Sequence, residues 1–222
     1  MTDTDFDIPL DALSIDGSEL ASLLVAKLCH DFISPSGAIV SGLDLLNDPT
    51  AQSMRDDAIA LLTDSARKMV AQVQFFRVAF GAATTAERFT GDELKALVEG
   101  VTRDGRARLD WQLEVADFSK PQARALVNLA YLTAAALPMG GQAVVTARAV
   151  ADDLVLMGTA EGARARLKPE AAKGLAGQRL TEGLAGQWIQ PYWLWLTLQQ
   201  QGGWLDVETV EGRVVLTGTM PS

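Results

Sequence analysis

Asp16–Asn47 reads DGSELASLLVAKLCHDFISPSGAIVSGLDLLN, and this stretch decides the fold. Asp16 suits a helix N-cap, and Glu19 three places on closes a capping box. Leu20, Leu24, Leu28, Phe32, Ile39, Leu43 and Leu46 then recur at helical spacing. Asn47-Asp48-Pro49 is a turn and a fresh start: Asp48 can cap, and Pro49 fits a first helical position, where the missing N–H had no partner anyway. Met54, Ala58, Leu61, Leu62, Ser65, Met69, Val73, Phe76 and Phe80 form a second stripe that stops at Gly81. The spacing predicts a long antiparallel helical hairpin over 16–82, each arm roughly eight turns. Two helices alone leave one side of each stripe wet. Pairing two hairpins into a four-helix bundle would cover them, so a homodimer is expected.

Downstream the period changes. Gly91–Arg103 is a short amphipathic helix, and Leu109, Trp111, Leu113 and Val115 alternate with polar residues as in a half-buried strand. Gln122–Leu137 is an apolar helix ended by Pro138 and Gly140-Gly141. Gln142–Val150 and Leu154–Thr159 read as a β-hairpin around Asp152-Asp153. Residues 160–187, rich in Gly, Ala and charge, read as a long loop. A helix over Ile189–Gln201 and strands over Trp204–Thr209 and Arg213–Met220 complete the chain. The expected class is α+β: an acidic arm over 1–15, the hairpin, then an α/β sandwich with an antiparallel-type sheet over 88–222.

Charge narrows the function. Lys and Arg total 19 against 28 Asp and Glu, a net charge of −9. Such acidity disfavours nucleic acid and anionic membrane surfaces as partners. No run of about 18 apolar residues suggests a membrane span. The opening MTDTDFDIPLDALSIDGSE holds six acids and no Lys or Arg, the wrong charge for a secretory leader. The one cysteine, Cys29, allows no internal disulfide and suits the reducing cytoplasm. It reads as a small packing residue.

The sole histidine, His30, sits in Leu28-Cys-His-Asp-Phe-Ile-Ser-Pro35. At 100° per residue it points about 160° from the stripe centre near Leu28, on the solvent side. Pro35 follows one turn later. A proline inside a helix costs about 3 kcal/mol and frees a carbonyl one turn back, near Asp31. A helix that keeps this defect beside an exposed imidazole has a use for it.

His-Asp-Phe-Ile-Ser-Pro resembles the H-box of histidine-kinase dimerisation and phosphotransfer domains: His, acid, apolar, two residues, Pro. Arg124-Ala-Leu-Val-Asn128-Leu resembles the start of the N-box of the kinase ATP-binding domain, and Gly183-Leu-Ala-Gly186 with Gly202-Gly-Trp-Leu resembles its G2-box region. The likeness runs over about 18–222. Its departures are specific. The second, magnesium-holding Asn of an N-box is replaced by Leu132, and the basic residue beyond it falls in Thr133-Ala-Ala-Ala136. The adenine-reading Asp of the G1-box is missing from Gly158-Thr-Ala-Glu-Gly162, and Trp188 is bulky for a phosphate site. A phosphotransfer hairpin on a degenerate ATPase-like domain resembles the ChpT-type histidine phosphotransferases of alphaproteobacteria, and Arg77-Val-Ala-Phe-Gly-Ala82 adds to that likeness.

The resemblance implies a phosphorelay carrier that does not use ATP. His30 would take a phosphoryl group from an aspartate of one receiver domain and return it to another, with Asp31 as its catalytic neighbour. The implied partners are the receiver of a hybrid histidine kinase and CtrA- and CpdR-like cell-cycle response regulators. The chain needs no cofactor or metal of its own, because Mg²⁺ sits with the receiver. Ser34 stands one turn from His30, and the small residues Gly37, Ala38, Ser41 and Gly42 would let a receiver helix approach closely. Arg164, Arg166 and Lys168 make the 160–187 loop locally positive and suited to steering an acidic receiver site. Two other readings stay open: a dimerising adaptor without catalysis, and an ATP-dependent histidine kinase, which the missing N-box and G1-box residues disfavour.

Overall fold

The computed structural model describes residues 15–81 and 86–222; most of the expected acidic arm lies outside them. Helix α1 spans Gly17–Asn47 and α2 spans Arg55–Ala79. The Asp16 carboxylate accepts from the Ser18 and Glu19 N–H groups, both at 2.8 Å. Glu19 does not close a capping box. Its carboxylate instead takes both contacts of Arg179, at 2.8 and 3.0 Å, which pins the start of α1 to the far end of the chain. The second helix also starts later than the spacing suggests. Asp48 ends α1 and folds its carboxylate onto Thr50, accepting from the N–H and the hydroxyl at 2.7 Å. This Asx turn and a 3₁₀ turn over Gln52–Met54 precede α2.

Within the hairpin, Ala58 and Ser65 of α2 are buried against α1. At Gly42 a Cβ would stand 2.8 Å from the Leu62 Cγ and 3.3 Å from the Ala58 carbonyl, so the helices meet there at glycine distance. By length and composition α1 could cross a membrane, unlike the expectation from apolar run length alone. Here it lies along α2 and against the C-terminal unit.

The rest of the chain comprises β1 (Arg88–Thr90), α3 (Gly91–Thr102), β2 (Ala107–Leu113), β3 (Asp117–Ser119), α4 (Lys120–Ala135), β4 (Gly141–Val150), β5 (Asp153–Glu161), α5 (Pro169–Leu175), α6 (Ala185–Gln200), β6 (Trp204–Val210) and β7 (Arg213–Pro221). Five strands form one sheet in the order β2-β4-β5-β7-β6, and β1 pairs β3 apart from it. The sheet is mixed rather than antiparallel throughout, because α4 crosses over from β2 to a parallel β4. Ala143, Val145 and Ala147 of β4, Leu154 and Leu156 of β5, and Val214 and Leu216 of β7 are buried in the core with Leu126, Leu129 and Ala130 of α4. The segment expected as a loop holds α5 and the first turn of α6.

The last turns of α2 belong to this second core. Phe75, Phe76 and Ala79 are buried in it. The Ala79 carbonyl at the end of α2 accepts from the Asn128 amide and from the Trp193 indole, each at 2.8 Å. Arg124 lies over the Trp193 ring at 5.7 Å, and burial pulls its guanidinium below the ordinary arginine range. At the other end of the contact, Trp188 stacks on Tyr192 at 4.5 Å, and Leu20, Leu23 and Leu24 of α1 pack against that pair. One half of the hairpin is thus covered within the chain. Along the rest, Val40 and Leu43 of α1 and Ile59, Val70 and Val73 of α2 remain exposed.

Candidate functional site

His30 lies mid-way along α1, and its side chain is 82% exposed. Its Nδ1 sits 3.1 Å from Asp31 Oδ1. A carboxylate only accepts, so this contact calls for the proton on Nδ1, and in the neutral ring the Nε2 lone pair then points away from Asp31. The second Asp31 oxygen, Oδ2, takes an ion pair with Lys27 one turn back. Lys27 is buried, with its ammonium 6.0 Å from the centre of the Phe76 ring. Phe32 packs edge-on against Phe76, which seats this turn of α1 on α2. Pro35 is buried within α1, while Ile33 beside it is exposed.

Ser34, Gly37 and Ser41 are exposed, and a Cβ on Gly37 would meet nothing within 4 Å. Ala38 is half-buried. Gly42 does not join this surface: it is buried in the hairpin seam against Leu62, so its small size serves helix packing. Cys29, expected to pack, is exposed. It falls between Val25 and Ile33 on the exposed apolar side of α1.

A cavity of about 400 Å³ opens beside His30. Lys27, His30 and Asp31 form one wall, and Arg166 and Lys168 from the β5–α5 loop form another. Tyr131 and Leu132 of α4 and the first turn of α6 complete it. Arg166 and Lys168 make no ion pair among the described residues, whereas Arg179 from the same stretch is committed to Glu19. Arg164 is exposed but does not line the cavity.

A family model, the histidine phosphotransferase C-terminal domain, matches residues 91–213. The protein phosphotransferase ChpT of Brucella abortus is 30% identical over 207 residues, covering 92% of this chain and 97% of that protein. The chain belongs to the histidine phosphotransferase family. Among solved structures, a bacterial phosphotransferase superposes at a TM-score of 0.80 with 26% identity, over 92% of this chain and 98% of that one. The agreement spans hairpin and sheet together, and the protein is a phosphotransferase.

The kinase-like motifs have other duties in this histidine phosphotransferase. Asn128, the residue matching the first N-box Asn, is fully buried. Its amide donates to the Ala79 and Arg124 carbonyls, and its Oδ1 accepts from Gln190 at 3.1 Å. Leu132, in the magnesium place, lines the cavity with no ligand atom. Gly158 lies where α4 meets the sheet: a Cβ there would stand 2.0 Å from the Thr133 hydroxyl. Trp188 does not fill the cavity. It is buried on α6 against Tyr192 and the leucines of α1, its indole donating to the Gln178 carbonyl at 2.9 Å. Among the described residues no three His, Cys, Asp or Glu side chains converge as a metal site.

The structure brings Arg166 and Lys168, expected from their charge alone to steer a receiver, to the same cavity as His30 and Asp31. Lys27 joins them without having stood out in the sequence. The signal was present as a Lys and an Asp four residues apart, but the burial that gives the pair its weight comes from α2 and the C-terminal unit.

Proposed function

We propose that the protein is a phosphorelay carrier that moves phosphoryl groups between receiver-domain aspartates through His30. The observation that carries this reading is an exposed imidazole whose Nδ1–H is bound by Asp31, leaving Nε2 free to attack. In the forward step Nε2 forms a bond to phosphorus as the bond to the aspartyl oxygen breaks, and the electron pair leaves with the aspartate carboxylate. The product is phosphohistidine, and the reverse step on a second receiver returns the group. Mg²⁺ held by the receiver supplies charge neutralisation, so this chain brings no cofactor. Arg166 and Lys168 face the approach to His30 and suit an acidic receiver site. Ser34, Gly37, Ala38 and Ser41 give the docking helix a low, uncluttered surface. By family resemblance the donor is the receiver of a hybrid kinase and the acceptors are CtrA- and CpdR-like regulators in the cytoplasm. Label transfer from a phosphorylated receiver to the purified chain tests the reading directly.

ATP has no part in this reading. Leu132 offers no oxygen for magnesium, and Gly158–Gly162 holds no Asp to read adenine. Isothermal titration with millimolar ATP and Mg²⁺ should give no saturable heat, and the protein alone should take no label from ATP. Autophosphorylation would restore the kinase reading.

The exposed apolar residues favour a second copy as the partner along the hairpin. Val25, Ile33, Val40 and Leu43 share one side of α1, and Ile59, Val70 and Val73 share one side of α2. Each apolar side chain fully removed from water contributes about 1.5–3 kcal/mol. Such a bundle leaves His30 outside. Sedimentation at micromolar concentration should give twice 23.7 kDa. Leu43→Asp and Val70→Asp should each return the single-chain mass. Leu62 would be the wrong probe, because it packs inside the hairpin. A wild-type mass of one chain would remove the bundle.

A further inference from the structure

We infer that Lys27 is a positioning residue for phosphoryl transfer: it fixes Asp31, and Asp31 thereby fixes the tautomer of His30. The inference rests on the carrier role proposed for His30. Lys27 is only 8% exposed, and a lysine is seldom so buried unless it is paired. Its partner is Asp31 Oδ2, while Asp31 Oδ1 faces His30 Nδ1 at 3.1 Å. One carboxylate therefore serves two donors, and its orientation decides both contacts.

Helix stability alone does not account for the arrangement. In an i, i+4 pair the better order places the acid before the base, in keeping with the helix dipole. Here the base comes first. The pair is also taken largely out of water, where an ion pair stabilises weakly or not at all relative to apolar packing. What the pair does is hold a carboxylate on the imidazole side of α1.

The neighbours define what its loss would do. Arg166 and Lys168 line the same cavity as Asp31. Without Lys27, the Asp31 carboxylate is free to turn toward them or toward water, drawing Oδ1 off Nδ1. Neutral imidazole then reverts to its ordinary preference for a proton on Nε2, and the nucleophilic lone pair moves to the nitrogen nearer the helix. A misplacement of about 1 Å can cost 100-fold in rate.

Because His30 is the sole histidine, its ring nitrogens can be assigned without ambiguity by ¹⁵N NMR. Spectra are recorded near pH 9, above the usual imidazole range. Phosphoryl acceptance from a labelled receiver is measured on the same samples. Wild type should show the Nδ1–H tautomer. Lys27→Met and Lys27→Gln should lose it and accept label about 10–100-fold more slowly. Lys27→Arg should restore both. An Nε2–H tautomer in wild type would overturn the inference before any variant is made. So would an unchanged tautomer in either neutral variant, or acceptance within about twofold of wild type. His30→Ala runs alongside as the separate control: label on that variant would defeat the carrier reading, whereas the tautomer is read without any transfer.

Discussion

His30→Ala and His30→Gln should take no phosphoryl group from a phosphorylated receiver, with label falling below detection. The loss should be purely chemical. The His30 side chain is 82% exposed, and among the described residues its polar contact is with the neighbouring Asp31. Exposed substitutions of this kind change stability by no more than about 0.5 kcal/mol. For a chain of this length the melting temperature should stay within about 2 °C of wild type. In wild type the phosphoryl group should sit on Nε2, which ³¹P–¹⁵N correlation on the single histidine can read. A folded His30→Ala protein that still takes label would move the carrier role elsewhere.

Asn128→Leu should produce the largest loss of stability without touching the chemistry. Its amide group donates to the Ala79 and Arg124 carbonyls, and its oxygen accepts from Gln190. Leucine is close in volume but removes all three bonds. The Gln190 amide loses its partner in a buried setting, while the Ala79 carbonyl keeps the Trp193 indole and the Arg124 carbonyl keeps its ladder bond within α4. A buried group left unpaired costs about 1–3 kcal/mol, and that is the loss expected here. At this length that lowers the melting temperature by roughly 2–12 °C. Calorimetry checks the shift, and a change below about 1 kcal/mol would mean that Asn128 does not bind the two units together. If Asn128 held a nucleotide-bound metal instead, Asn128→Leu would alter nucleotide affinity and spare the fold.

The hairpin was legible because an apolar period sustained over some thirty residues has only one compact solution. His30 was legible for a related reason: a polar residue out of phase with that period has nowhere to point but outward. Other features carry no such signal. The seven residues of α5 are too few for a period, and the alanines and glycines that let it lie against α6 resemble loop composition. The parallel pairing of β2 with β4 is a property of the path α4 takes, and it leaves no mark on either strand. Trp188 follows two glycines and so looked like an obstruction at a phosphate site, but the turn of α6 carries it into the stack with Tyr192. Gly42 looked like docking surface by its size, and only the position of Leu62 reassigns it. Burial of Lys27 likewise belongs to the tertiary fold, which is why an ordinary-looking Lys–Asp spacing hid a member of the site.

The Ala79 carbonyl has a consequence for how partners meet this protein. It closes α2 with two donors that both come from the C-terminal unit, Asn128 and Trp193. The junction is therefore a weld rather than a hinge. The α2 end of the hairpin and the C-terminal unit are set relative to each other when the chain folds, so the entropy of ordering that junction is settled before any visitor arrives. Successive visitors meet the same rigid relief. If His30 is the carrier proposed above, a junction of this kind favours no direction of travel by its own motion. The direction follows from which visitors arrive phosphorylated and in what numbers.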